Sequence, residues 1–301
     1  MAMYLDYFGL QHPPFGLTPN TGFYQGLQPH QEANDVLQVA LSEGEGFIKV
    51  SGEVGTGKTL LCRKLLVDLE QSYRFAYLPN PTLSPLQLYH AIAMELGLEL
   101  AAEDNPHTLL DQLHRRLIAL VSEGRPVVLL IDEAQALSDE SLEAIRLLGN
   151  LETEQRKLIQ IVLFGQPELD QRLAKEQLRQ LRQRITFSYS LRPLNRDEVV
   201  SYLQHRLHVA GYRGGAIFTA RSLAVLTKAS RGIPRLINVL AHKALMLCFG
   251  EGQKVISVKM IKQAISDTED ATLPPRSVLL PLSLLCGAAA VASALAMGVL
   301  R

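Results

Sequence analysis

Residues 47–59 read FIKVSGEVGTGKT. A short apolar run meets a glycine-rich turn, the turn ends in Lys58-Thr59, and the helix-like stretch LLCRKL follows. Residues 52–59 fit the phosphate-loop pattern G-x-x-x-x-G-K-[ST], in which glycines let backbone N–H groups face a phosphate chain. The helix that follows adds its positive N-terminal end. Few other features restrict a fold as strongly, because the loop works only between a strand and a helix. The pattern places Gly52, Glu53, Val54, Gly55, Thr56, Gly57, Lys58, Thr59 and Leu60 around a nucleoside triphosphate. Lys58 would reach the β- and γ-phosphates and the Thr59 hydroxyl would hold Mg²⁺. ATP and Mg²⁺ are the expected cofactors.

Strand-like and helix-like segments alternate around this loop. Strands are expected at 46–51, 74–78, 127–131, 158–164 and 186–191, with amphipathic stretches such as 86–96 and 108–121 between them. That alternation implies a mostly parallel sheet flanked by helices. After Arg192-Pro193-Leu194 the strand signals fade, and helices are expected at 195–210, 219–230, 234–249 and 257–268. Asn195, Thr219 and Ser257 supply helix-start residues. The expected organisation is an aromatic-rich segment (1–46) packing on an α/β core (47–191), a helical lid (192–268), a short linker (269–277) and an apolar tail.

Residues 127–133, VVLLIDE, supply a second half for the site. Asp132 ends an apolar strand and is placed to bind Mg²⁺. Glu133 beside it can orient or deprotonate an attacking water. Gln166, just after the next strand in LFGQPEL, is the candidate sensor of the γ-phosphate, with a plain turn role as the alternative. The basic run QRLAKEQLRQLRQR (171–184) offers Arg182 or Arg184 as a finger reaching a neighbouring subunit's nucleotide. A solvated basic face is the other reading of that run. In GIPRLIN (232–238), Arg235 stands just inside a helix begun by Pro234 and could fold onto bound phosphates. His30, ahead of the first strand, is expected to be structural.

Charge weighs against a broad nucleic-acid surface. The chain has 30 basic and 30 acidic residues, and only Arg276 and Arg301 lie beyond residue 270, leaving 28 basic against 30 acidic groups before it. Cys62, Cys248 and Cys286 are far apart and show no metal-ligand spacing, so neither disulfides nor a cysteine-ligated metal is expected. The start, MAMYLDYFGL, lacks the pattern of a secretory signal. Residues 278–300 run 23 positions without a charge. As a helix rising ~1.5 Å per residue they would span ~34 Å, enough for a hydrocarbon core of ~30 Å. Lys259, Lys262 and Arg276 precede this stretch and only Arg301 follows it, which leaves residues 1–277 on the cytoplasmic side of a single-pass inner-membrane protein.

The order of phosphate loop, DE strand, polar sensor, arginine pair and GxPR lid resembles AAA+ ATPases. More narrowly, YLDYFGLQHPPF, GEVGTGKT, LLIDEAQ, FGQPEL, LRQRI and GIPRLIN are similar to the ExeA-type (general secretion pathway A) family over residues 4 to about 268. The resemblance implies a P-loop AAA+ (ASCE) parallel-sheet core with a C-terminal helical lid, here followed by one transmembrane helix. It implies ATP hydrolysis in a homo-oligomer, with an arginine supplied in trans, in the assembly of a type IV-like pilus or secretion apparatus beside inner-membrane partners. It also implies that the aromatic-rich start lies against the nucleotide site. Family members usually continue into a periplasmic peptidoglycan-binding region, so cell-wall binding is not carried over to a sequence ending at Arg301. A DNA-handling ATPase of the transposition or origin-loading type and a slowly hydrolysing nucleotide scaffold are the rival readings.

Overall fold

The computed structural model describes residues 3–99, 106–153 and 156–271. Its centre is a parallel sheet of β1 (Phe47–Gly52), β2 (Arg74–Leu78), β3 (Val127–Ile131), β4 (Ile159–Gly165) and β5 (Ile185–Leu191). The strand order is β2-β3-β4-β1-β5, so β1 sits between β4 and β5, with Phe47 opposite Ile161 and Val50 opposite Phe164. Two of the three inner strands, β3 and β4, are buried at every position, which is why their sequences read as continuous apolar runs rather than alternating ones.

Alternate residues of these strands feed two separate cores. Val127, Leu129 and Ile131 face a layer built by α4 (Pro85–Glu95), α5 (Pro106–Ser122), α6 (Asp139–Leu148) and α7 (Pro167–Leu173). Val128 and Leu130, with Ile48 and Val50, face α2 (Gln28–Ser42) and α3 (Lys58–Leu69). The period of two along each strand thus decides which helices meet which side chains. The short helix α8 (Arg179–Arg184) leads into β5.

Beyond β5 comes a helical bundle of α9 (Arg196–Val209), α10 (Ala220–Ser230), α11 (Pro234–Gly250) and α12 (Val258–Ser266). Asn195 caps α9 reciprocally with Glu198, and the Thr219 and Ser257 side chains accept N–H groups in the first turns of α10 and α12. The expected placement of residues 1–46 on the α/β core needs correction for its first half. Tyr4 and Phe8 of α1 (Met3–Phe8), with Leu10, Phe15, Phe23 and Leu27, are buried in one cluster with Leu203, Ile237, Leu240 and Ile261 of the helical bundle. α2 joins the sheet side through Ala33, Leu37, Ala40 and Leu41, and Arg63 of α3 donates to Pro19 O at 3.1 Å. The sheet faces are already covered by α2–α7, and the aromatic side chains complete the bundle core instead.

The expected apolar span at 278–300 lies outside the described residues, as does the linker beyond Ala271. Among the described residues no helix is long and apolar enough to cross a membrane.

The sheet and bundle meet at a tight crossing where Leu194 donates its N–H to the Gly232 carbonyl at 2.9 Å. Gly232 has φ of +73°, and a Cβ there would stand 2.0 Å from the Leu194 carbonyl oxygen. Gly232→Ala is therefore expected to cost about 2 kcal/mol or more, from left-handed strain and a backbone clash. A calorimetric melt should show Tm falling by about 4–8 °C.

Candidate nucleotide site

The phosphate loop leaves β1 at Gly52 and enters α3 at Lys58. Gly55 and Gly57 have φ of +82° and +104°, and each is pressed by a neighbour. A Cβ on Gly55 would lie 2.5 Å from Cβ of Arg235, and one on Gly57 would lie 2.8 Å from His30 Nε2. Glycine is required at both for conformation and for space. Thr56 closes the turn by donating its hydroxyl to the Glu53 carbonyl at 2.8 Å.

Lys58 is 4% exposed, and its Nζ donates to the Gly52 and Glu53 carbonyls at 2.7 and 3.0 Å. Burial lowers its pKa, opposed by the Glu133 and Asp132 carboxylates. Asp132 directly follows β3 and is buried, its backbone N–H tied to Leu78 O of the adjoining strand. Burial raises its carboxyl above the ordinary range, while the Thr59 hydroxyl and the Glu133 N–H, both donating to it, pull it down. Lys58, Thr59 and Asp132 thus share one site. A hydroxyl and a single carboxylate suit a hard cation that takes its remaining ligands from phosphate oxygens and water. No group of three or more His, Cys, Asp or Glu side chains that could hold a metal by itself exists among the described residues.

Glu133 adopts φ of +53°, a left-handed conformation uncommon for a non-glycine residue. Its Oε2 accepts Gln166 Nε2 at 2.9 Å and Gln135 Nε2 at 2.5 Å. Gln166 stands at the head of α7, directly after β4, and faces Glu133 from the neighbouring strand. Sequence reading did not single out Gln135. Its signal was its place at the end of the LLIDEAQ motif, two positions beyond the DE pair.

A cleft of about 310 Å³ opens over the loop. Its floor holds Val54, Gly55, Gly57, Lys58, Thr59, Leu60 and Glu133, and its roof comes from the bundle as Tyr202, Arg206, Pro234, Arg235 and Asn238. The Arg235 N–H donates to Gly55 O at 3.1 Å, so the bundle grips the loop through backbone, while the Arg235 side chain is exposed at the cleft wall. Asn238 was not anticipated. It is 6% exposed, and its buried Oδ1 has no hydrogen-bond partner.

The third wall is residues 16–20, Gly-Leu-Thr-Pro-Asn. The aromatic-rich start thus lies against the cleft, but its aromatic side chains (Tyr4, Tyr7, Phe8, Phe15, Phe23, Tyr24) do not line it. They anchor the segment instead. Arg206 donates to Pro14 O at 2.5 Å and Gly16 O at 3.3 Å, and its guanidinium lies 4.8 Å from the Phe23 ring centroid. Arg182 and Arg184 lie away from this cleft; Arg182 is exposed and reaches Ala174 O at 3.4 Å.

Residues 41–173 match the AAA domain family. Over 254 residues, 84% of this chain, the sequence is 43% identical to general secretion pathway protein A of Aeromonas hydrophila. The chain spans about half that relative's length, 46%. Among solved structures, Cdc6p from Pyrobaculum aerophilum aligns with a TM-score of 0.66 at 16% identity, covering 84% of this chain and 70% of that one. The Aeropyrum pernix ORC2 protein, in ADPNP and ADP complexes, aligns at 0.62 and 18%, covering 85% and 73%. At these identities the two structures speak for the fold alone.

Beneath the loop, His30 Nε2 lies 3.0 Å from the Thr56 carbonyl, which can only accept, so Nε2 carries the proton. Nδ1 is buried without a partner, and burial lowers the His30 pKa below its ordinary 6.5 despite the Thr56 carbonyl. In the unfolded chain this histidine takes its proton first, so stability present above about pH 6.5 is lost as pH falls toward the lowered native pKa. His30→Gln keeps a donor for Thr56 O and removes the titration. Urea midpoints measured from pH 7 to pH 5 should decline less steeply in His30→Gln, by at most about 1.4 kcal/mol per pH unit.

Proposed function

The chain belongs to the ExeA-type family of AAA proteins, and on that premise we propose that it is a Mg²⁺-dependent ATPase that powers or times assembly at a bacterial inner membrane. The observation that carries this reading is the convergence of Lys58, Asp132, Glu133 and Gln166 below a single cleft roofed by Arg235. In it, backbone N–H groups of residues 55–60 and the α3 N-terminus receive the phosphates. Lys58 exchanges the Gly52 and Glu53 carbonyls for β- and γ-phosphate oxygens. Thr59 and Asp132 would hold Mg²⁺, which neutralises charge on the bridging phosphates. Glu133 orients water for in-line attack, and Gln166 reads the γ-phosphate. Asn238 Oδ1, left unpaired in the cleft, accepts the exocyclic amine of the adenine.

Arg182 or Arg184 completes the neighbouring subunit's site in a homo-oligomer, since neither lines the cleft of its own chain. Hydrolysis changes the grip of Arg235 on the loop and so the angle of the bundle. Residues 278–300 anchor the protein as one span, with the ATPase in the cytoplasm. Its partners are inner-membrane components of a type IV-like pilus, of the mannose-sensitive haemagglutinin kind, or of a type II secretion apparatus.

Phosphate release by full-length protein in lipid discs tests the chemistry. Glu133→Gln should lose about 10²-fold or more in kcat while retaining ATP binding, Lys58→Ala should lose both, and chelation of Mg²⁺ should stop turnover. Wild-type turnover no greater than that of Lys58→Ala would end the ATPase reading. For the assembly role, Glu133→Gln expressed in its own membrane with ATP should enrich pilus or secretion components over the Lys58→Ala control. Enrichment of chromosomal or replication proteins instead would move the protein to a DNA-handling role.

A further inference from the structure

Gln135 lies in the short helical turn Ala134–Ala136, between β3, which ends one residue before Asp132, and α6. Its single amide makes two contacts of opposite sense. Nε2 donates to Glu133 Oε2, and Oε1 accepts the backbone N–H of Gln166 at 3.0 Å. The Gln166 side chain donates to the same Glu133 oxygen, closing a ring of three residues. Only an amide side chain presents a donor and an acceptor at one end in this way.

The turn that carries Gln135 is itself held from behind. Arg172 donates to Gln135 O at 2.9 Å and also to Leu137 O and the Asp139 carboxylate. Asp139 further accepts Lys175 Nζ at 2.9 Å and Gln177 Nε2. These donors belong to the segment that runs directly into α8, where Arg182 and Arg184 stand. The basic run read from sequence thus divides. Arg172 and Lys175 pair with Asp139 and Arg179 with Glu176, while Arg182 is exposed.

We propose that Gln135 is a positioning residue that ties the water-orienting carboxylate of Glu133 to the γ-phosphate sensor Gln166. The inference rests on the ATPase reading above. With no γ-phosphate, Glu133 Oε2 is occupied by two amide donors. When a γ-phosphate draws the Gln166 amide away, one of those donors leaves and the oxygen gains a free lone pair for water. Gln135 keeps the carboxylate in place during that exchange, because its own bond to the Gln166 backbone does not depend on where the Gln166 side chain points.

Two full-chain variants separate the two contacts. Gln135→Glu keeps an acceptor for the Gln166 N–H and loses the donor to Glu133. Gln135→Met keeps the shape and loses both. Three readouts are compared with wild type: thermal melts as a folding control, ATP affinity and kcat by phosphate release, and hydrogen exchange of the Gln166 backbone amide without nucleotide. Expected for both variants is an unchanged melt, ATP affinity and KM within about threefold of wild type, and kcat lower by about 10–100-fold, the size of effect produced by ångström-scale misplacement of a catalytic group. Gln166 exchange should quicken in Gln135→Met and stay slow in Gln135→Glu. Wild-type kcat in both variants overturns the tether while leaving the ATPase reading intact, and so does loss of ATP affinity in proportion to kcat. A wild-type protein without turnover overturns the catalytic role, and a Gln166 exchange pattern still as expected would place the failure in the ATPase reading rather than in the contacts of Gln135.

Discussion

One backbone hydrogen bond, from Arg235 N–H to Gly55 O, joins the two halves of the molecule at the place where they are both most constrained. The loop cannot yield toward the sheet, because Gly57 rests on His30, nor toward the bundle, because Gly55 rests on the first turn of α11. A phosphate chain entering between β1 and α3 must therefore be felt by α11. The bundle owes its placement to the same contact and to the crossing of Leu194 over Gly232. Two glycines in the loop and one at the base of the lid let three layers of backbone approach each other.

The charged groups of the site balance one another in a confined volume. Lys58 and Asp132 are both buried, and burial opposes the charged form of each. Carbonyls from the loop solvate the ammonium, and a hydroxyl and an N–H solvate the carboxylate. Such partners are weaker than a phosphate or a divalent cation, so the site is set up to exchange them. A second charged cluster, around Asp139, is better satisfied because its partners are cations from the protein itself.

The sheet was readable in the sequence because inner parallel strands are apolar on both faces and are bounded by turns. The five strands lie within a residue of expectation at each end. Asn195, Thr219 and Ser257 announced their helices for a local reason, since a cap needs only its own first turn. Gly52–Thr59 and the DE pair were legible because phosphate chemistry fixes residue type and spacing together. What remained hidden was long-range. Nothing local in residues 3–27 distinguishes packing on a sheet from packing on a bundle, and the bundle lies far along the chain. Gln135 and Asn238 close the LLIDEAQ and GIPRLIN motifs yet were not singled out, because one amide among many shows its importance only when its partners, or their absence, are in view.

The bundle's hydrophobic core is built from both ends of the described chain: Tyr4, Phe8, Phe15 and Phe23 from the start, and helices beginning only at Arg196 from the finish. During synthesis these aromatic side chains leave the ribosome before the bundle helices and lack their core partners until the whole α/β unit has been made. For that interval they are exposed apolar surface on an incomplete protein, the kind of surface that chaperones bind and aggregation exploits. The chain therefore carries this hazard from the emergence of the aromatic segment until the bundle helices follow.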